Sequence, residues 1–294
     1  MVIAATGFFD GVHRGHRFVI DTLVRTARNT GGQSVIVTFW PHPRTVLQNG
    51  ARELRLLTSL QEKKEILSSL GVDRIEVLPF TKEFSLMTTE EYFRDVIMDR
   101  LGADSILIGY DNRVGHDGSS PEKVAAAASA LGLNVIRMDG FMDSSGIAVS
   151  SSRIRRAISE GDMESAEEML GYPYSLHGVV IAGNRLGRTI GFPTANMQLY
   201  EPLKLVPANG AYLVRVQTAG GHYFGMTNIG VRPTVDSGRH RTIETHIFSF
   251  DEEIYGLDIN ISFIRKIRDE IRFPSMEELR LQLEKDRDFC VSHL

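Results

Sequence analysis

Residues 2–16 read VIAATGFFDGVHRGH. An apolar run gives way to a glycine-rich stretch, and a helical pattern then runs from His16 to about Asn29. A short run that is apolar throughout needs cover on both faces, which marks a strand inside a parallel sheet. The next residues keep this alternation. SVIVTFW (34–40), RIEVLPF (74–80), SILIGY (105–110) and NVIRMDGF (134–141) are strand-like, while LQEKKEILSSLG (60–71), EEYFRDVIMDRLG (90–102) and SPEKVAAAASALG (120–132) are helical. Gly71 suits a helix end, and Ser120 with Pro121 suits a cap and first turn. Residues 1–156 are therefore read as an α/β domain, with a parallel sheet covered by helices. Ligands in such sheets sit at the carboxyl ends of the strands, where the opening glycine-rich stretch lies.

The 294 residues are 42% hydrophobic and 24% charged, as in an ordinary globular protein. A net charge of -4 argues against non-specific binding to a polyanion, so no nucleic-acid partner is expected. An anionic ligand would have to be held locally. No run approaches the ~18 apolar residues of a membrane span, and the first residues lack the basic start of a secretory signal. Cys290 is the single cysteine, which fits a reducing compartment. A cytoplasmic protein without membrane partners is expected; the sequence carries no statement of oligomeric state.

Residues 157–172, AISEGDMESAEEMLGY, read as polar helix broken by a glycine, a candidate linker. From 173 to 294 the pattern changes. SLHGVVIA, GAYLVRVQ, HYFGMTNIG, IETHIFSF and DINISFIRKI are short β-type runs bounded by Gly, Pro, Asn and Asp. They predict an antiparallel β-barrel. A terminal helix follows over 275–289, with a Ser275/Glu278 capping box and an apolar face of Met276, Leu279 and Leu283.

His13 and His16 admit three readings. They are structural, or they share a metal ion, or they serve phosphate chemistry. No neighbouring cysteine or second histidine pair supports the metal. Phosphate chemistry has more behind it. Gly11 and Gly15 let backbone approach a ligand, a helix N-terminus offers N–H groups to an anion, and imidazoles can donate to charge building in a transition state. His13-Arg14-Gly15-His16 resembles the HxGH signature of the nucleotidylyltransferase superfamily. The longer GFFDGVHRGH is similar to that of the prokaryotic bifunctional riboflavin kinase/FAD synthetase family.

Other stretches carry the same resemblance. TFWPHP (38–43) resembles the family's TFxPHP loop beside the adenylylation site. VSSSRIR (149–155) resembles its SSTxIR, which implies that Ser151, Ser152 and Arg155 hold ATP phosphates. GYDNRVG (109–115) resembles its GxDFxFG stretch, with Asn112 and Val114 in place of aromatics; Asp111 and Asn112 are the implied flavin contacts. In the second half, GNRLGRTIGFPTAN (183–196) reads physically as a tight loop shaped by Gly187, Gly191 and a proline. Thr194 and Asn196 offer oxygens suited to Mg²⁺, and Arg185 and Arg188 add positive charge. The plain alternative is a polar hairpin loop. The Walker A pattern is absent. The stretch resembles the GFPTAN signature of riboflavin kinases, NIGVRPT (228–234) resembles their second loop, and IETHIFSF (243–250) the segment with the catalytic glutamate, here Glu244. On a strand, Glu244 and His246 share a face with Thr245 opposite. A carboxylate at a barrel mouth suits a base that takes an alcohol proton; a surface pair with Arg239 or Arg241 is the bland alternative.

The resemblance implies a Rossmann-like adenylyltransferase domain (1–156) and a riboflavin kinase barrel (173–294), joined by the linker. Riboflavin becomes FMN and FMN becomes FAD, with ATP as co-substrate and Mg²⁺ as metal. Two rivals stay open on the sequence: a single-function nucleotidylyltransferase whose barrel only binds flavin, and a flavin-sensing regulator.

Overall fold

The computed structural model describes residues 1–47, 54–110, 113–117, 120–183, 186–233 and 239–294, without the side chains of 232, 233, 239 and 240. The chain divides into two compact units, Met1–Ser151 and Ser152–Leu294.

In the first unit β1 (Val2–Thr6) leads into α1 (Arg14–Asn29), β2 (Gln33–Trp40), α2 (Pro43–Leu47), α3 (Leu60–Ser69) and β3 (Arg74–Pro79). Then come α4 (Thr89–Glu91), continued by π-type turns over Tyr92–Arg100, and β4 (Ser105–Ile108), α5 (Pro121–Ala130) and β5 (Asn134–Arg137). The five strands are parallel in the order β3-β2-β1-β4-β5. Alternate residues go to opposite faces. Ile3, Ala5, Ile36 and Leu107 pack under Ile20, Leu23, Val24 and Ala27 of α1 and Leu67 of α3. Ala4, Val35, Val37, Ile106 and Ile108 pack under Phe93, Val96 and Ile97 of the π-type turns and Val124 and Ala128 of α5. This double cover explains why the strands read as apolar throughout. The strand order reverses direction at β1, between β2 and β4, so a crevice is expected beyond its carboxyl end.

α1 starts two residues earlier than the pattern indicates, because His13 serves as its N-cap. Ser120 occupies the N-cap of α5 with Pro121 in the first turn, but its side chain makes no capping bond.

The second unit takes in most of α6 (Ser151–Glu160), then α7 (Met163–Leu170), β6 (Ser175–Ile181), α8 (Leu186–Thr189), β7 (Ala195–Leu199), β8 (Gly210–Thr218), β9 (Gly221–Pro233), β10 (Arg239–Ile247), β11 (Asp258–Arg268) and α9 (Met276–Val291). Gly161, at φ +83°, turns the chain between α6 and α7. α7 packs against β11, with Met163, Ala166, Met169 and Leu170 buried. Strands β10-β7-β6-β11-β8-β9 form a closed antiparallel barrel. Its interior holds Tyr212, Val214, Thr227, Ile229, Ile243, Thr245, Ile261 and Phe263, all buried. The Thr227 and Thr245 hydroxyls bond each other at 2.8 Å, so neither is left unpaired in the lumen.

Two expectations need correction here. The β-type run HYFGMTNIG does not stop at Gly230: residues 231–233, which the resemblance gave to a loop, continue as strand paired to β10. On α9, Leu283 of the expected apolar face packs against the core cluster, but Met276 is 42% exposed, and the fully buried positions are Asp286 and Cys290. Arg268 holds Asp286 at 2.8 Å, which is what allows a carboxylate on the inner face of that helix. Ser275 accepts from the Glu278 N–H, half of the expected capping box.

Candidate active sites

In the first unit, β1 ends at Thr6 and the chain enters a loop in uncommon backbone conformations. Phe9 has φ 53°, Gly11 φ 79° and Val12 φ 35°. Positive φ at a β-branched valine is strained, at about 1–3 kcal/mol per such residue, and persists only where surroundings over-determine it. Those surroundings are visible. The buried Asp10 carboxylate accepts from Leu57 N at 3.0 Å and 3.2 Å, from Thr58 N at 3.1 Å and from Thr58 Oγ1 at 3.4 Å. Gly11 N donates to Thr58 Oγ1 at 3.1 Å, Thr38 Oγ1 to the Phe8 carbonyl at 3.1 Å, and Ser151 Oγ to the Asp10 carbonyl at 3.0 Å.

This clamp sets the histidines. His13 Nδ1 accepts from His16 N at 3.4 Å, which puts the proton of its neutral ring on Nε2. The two imidazoles stack at 3.6 Å with 16° between planes. His16 Nδ1 is sealed from solvent without a hydrogen-bond partner. Burial, then the neighbouring His13 and Lys63, hold His16 well below the ordinary imidazole range, so it is neutral near pH 7. A Cβ at Gly15 would lie 3.1 Å from the His13 ring and 3.6 Å from the Val149 carbonyl, so the absence of a side chain there lets the HxGH turn close. Gly11, His13, Gly15, His16 and Ser151 are thus brought together. Ser152 and Arg155 lie one and four residues further along α6, exposed and half-buried respectively.

His42 of the TFWPHP stretch sets its ring edge-on to Phe8 at 4.1 Å. Asp111 and Asn112 lie outside the described residues. Val114 packs against the core cluster beneath the sheet, and its carbonyl accepts from Thr89 Oγ1 at 2.7 Å.

One residue escaped the sequence reading. Lys63 on α3 is fully buried, its Nζ 3.6 Å from the Phe8 ring centroid and 3.4 Å from Thr38 Oγ1. Burial pushes its ammonium down to about 8, against the opposing pull of Asp10.

In the second unit, the 183–196 stretch contains α8, a left-handed turn at Gly191 (φ +84°) and the start of β7. A Cβ at Gly187 would lie 2.2 Å from the Phe192 carbonyl, and one at Gly183 would lie 2.2 Å from the Asn196 amide nitrogen. Backbone therefore packs directly on the Asn196 side chain. Across the sheet, Asn196 is the register partner of Glu244, and Glu244 is the partner of Asn228. Direct partners share a face, so Asn196, Glu244 and Asn228 form one row. Thr245, on the opposite face, is the lumen residue, so Glu244 lies on the outward face of the barrel wall and not in its interior. Asn228 lies in the β-type run HYFGMTNIG, and only the β9–β10 register sets it opposite Glu244. Thr194 is half-buried one residue before β7; Arg188 is exposed, and Arg185 lies outside the described residues. Arg241 donates to the Val206 and Pro207 carbonyls and to Asn209 Oδ1. His246 bonds the Pro193 carbonyl through Nδ1 at 2.8 Å, with its ring edge-on to Phe192 at 5.1 Å.

Residues 1–153 match the family model for FAD synthetase, and residues 170–294 that for riboflavin kinase. The chain is 38% identical to the bifunctional riboflavin kinase/FMN adenylyltransferase of Listeria monocytogenes, over 97% of this chain and 90% of the relative. It is 34% identical to that of Bacillus subtilis, over 99% and 92%. Among solved structures it superposes with a TM-score of 0.90 and 31% identity on a Streptococcus pneumoniae protein described as a macrolide-efflux protein, covering 98% and 92% of the two chains. No helix among the described residues of this chain is long and apolar enough to cross a membrane. The enzyme phosphorylates riboflavin to FMN and adenylylates FMN to FAD, and the chain belongs to the bifunctional riboflavin kinase/FMN adenylyltransferase family.

Proposed function

We propose that adenylyl transfer occurs on the His13/His16 turn and riboflavin phosphorylation on the Asn196–Glu244–Asn228 row. In the first reaction a phosphate oxygen of FMN attacks the α-phosphorus of ATP and pyrophosphate leaves. Gly11 and Gly15 open the backbone to the phosphates. His13 and His16, stacked, donate to oxygens that gain charge. Ser151, Ser152 and Arg155 complete the phosphate contacts at the start of α6, and Asp111 and Asn112 are assigned to the flavin. The observation that carries this reading is the stacked pair at the N-terminus of α1, at the carboxyl edge where the strand order reverses.

In the second reaction the riboflavin 5′-hydroxyl gives its proton to Glu244 as its oxygen attacks the γ-phosphorus, and ADP leaves. The register pairing of Glu244 with Asn196 supports it, because it puts the base beside the amide at the end of the phosphate loop. Gly187 and Gly191 shape that loop. Thr194 and Asn196 fit Mg²⁺, since both offer uncharged oxygens and Gly183 leaves room only for the Asn196 amide. Among the described residues no group of three or more acidic, histidine or cysteine side chains forms a metal cage, which suits a cation carried mainly by ATP phosphates. Bound there, Mg²⁺ would neutralise charge on the transferring phosphate.

The division of labour is 1–156 for adenylylation, 157–172 as linker and 173–294 for the kinase. A reducing cytoplasm is the proposed setting, supported by the buried free thiol of Cys290. Cutting the linker and assaying each fragment with Mg-ATP tests the division. A C-terminal fragment that makes FMN supports it. A folded one that makes none contradicts it.

A further inference from the structure

Lys63 is a buried cation without an obvious structural reason. Its side chain is fully buried, and an ammonium has three donors to satisfy. Here it has a hydrogen bond of 3.4 Å to Thr38 Oγ1 and the face of Phe8 at 3.6 Å. Among the described residues it forms no salt bridge. The Asp10 carboxylate, its counter-charge, is engaged by the N–H groups of Leu57 and Thr58. A methionine in this place would avoid the cost of burying charge.

The groups that Lys63 touches are those that hold the strained loop. Thr38, which accepts from Lys63, itself donates to the Phe8 carbonyl, and Phe8 is the residue before the first positive φ. Lys63 thus meets Phe8 twice, at its ring and through Thr38. The loop beyond Phe8 carries Asp10, Gly11 and the His13 cap. Both substrates of the adenylylation are anions, and the reaction must bring them together. A fixed positive charge behind the loop, in surroundings of low dielectric, offsets that repulsion without having to reorganise.

We propose that Lys63 is a positioning residue of the adenylyl-transfer site, whose buried ammonium holds the Phe8–Val12 loop in its strained form and sets a fixed positive charge behind the histidine pair. It acts through the loop and does not touch the reactants. This rests on placing adenylylation at His13 and His16.

The test uses the full-length enzyme with Lys63→Met, which removes charge and hydrogen bond, and Lys63→Gln, which keeps a donor for Thr38 and removes only the charge. Three quantities are read: FAD formation from FMN, FMN formation from riboflavin, and the unfolding midpoint of the first unit from the fluorescence of Trp40. Both variants should unfold at or above the wild-type midpoint, because an under-partnered charge and its strain are relieved. Both should lose about tenfold or more in the turnover number for FAD formation. Riboflavin phosphorylation should stay at the wild-type rate. A folded neutral variant with wild-type FAD formation overturns the proposal, as does a loss of activity that merely follows a lowered midpoint. If Lys63→Met does not fold, Lys63→Gln decides. A parallel His16→Ala arm separates the two claims. If it leaves FAD formation intact, the site itself is misplaced. If it abolishes FAD formation while the Lys63 variants are fully active, only the inference about Lys63 fails.

Discussion

Replacing Asp10 with alanine removes the acceptor for the N–H groups of Leu57 and Thr58, residues that are 1% and 2% exposed. Water cannot replace it. Each buried N–H left without a partner costs about 1–3 kcal/mol, so Asp10→Ala should destabilise the first unit by about 2–6 kcal/mol. Asp10→Asn separates charge from geometry. Oδ1 accepts from Leu57 N, Thr58 N and Thr58 Oγ1, whereas Oδ2 accepts only from Leu57 N among these bonds. An asparagine with its oxygen at the Oδ1 position keeps the main contacts and loses the charge assistance, at about 1–2 kcal/mol. The assay is urea unfolding followed by Trp40, the chain's single tryptophan, so the signal reports the first unit alone. With a slope of about 2 kcal/mol per molar urea, the Asp10→Ala midpoint should fall by about 1–3 M, and that of Asp10→Asn by about 0.5–1 M. An Asp10→Ala midpoint within about 0.3 M of wild type would refute the clamp, and with it the account of how the strained loop persists.

His246 ties β10 to the phosphate loop through Pro193. His246→Phe keeps the aromatic packing and loses that bond, worth about 1 kcal/mol, so the Michaelis constant for ATP in riboflavin phosphorylation should rise about fivefold, with His246→Asn restoring most of it. His16 gives a pH dependence. Its folded form resists protonation, so unfolding takes up a proton below pH 6.5, and the first unit should lose stability as pH falls from there. The slope attributable to this residue is at most about 1.4 kcal/mol per pH unit. Urea midpoints at pH 5.5 and 7 should differ less in His16→Asn than in wild type.

The α/β half was legible because its strands are buried on both faces and its helices carry clear ends. Five of the barrel strands were legible from β-type runs between turn residues. β7 was not, because Ala195–Leu199 follows directly on a loop signature and has polar residues at Asn196 and Gln198. Its strand form comes from closing the barrel between β6 and β10. Asn228 falls in a legible β-type run, but its place opposite Glu244 depends on the β9–β10 register, which the sequence does not show. Lys63 was illegible for another reason. In LQEKKEILSSLG it stands beside Lys64 on a polar helix and looks like solvent-facing charge, yet Lys64 is exposed and Lys63 fully buried. Only the approach of β1 and β2 to α3 reveals this. The histidine pair was legible as a motif, but the strain at Phe9 and Val12 and the cap made by His13 are properties of the folded loop.

The most direct test of the two-site account is a crossed assay. Riboflavin and Mg-ATP, or FMN and Mg-ATP, are incubated with Glu244→Gln and with His16→Ala, and riboflavin, FMN and FAD are separated by chromatography. Glu244→Gln should lose about 10²–10⁴ in FMN formation and convert supplied FMN to FAD at the wild-type rate. His16→Ala should make FMN normally and lose about 10²–10³ in FAD formation. Near-normal riboflavin phosphorylation by Glu244→Gln, or equal loss of both activities in either folded variant, would contradict the account.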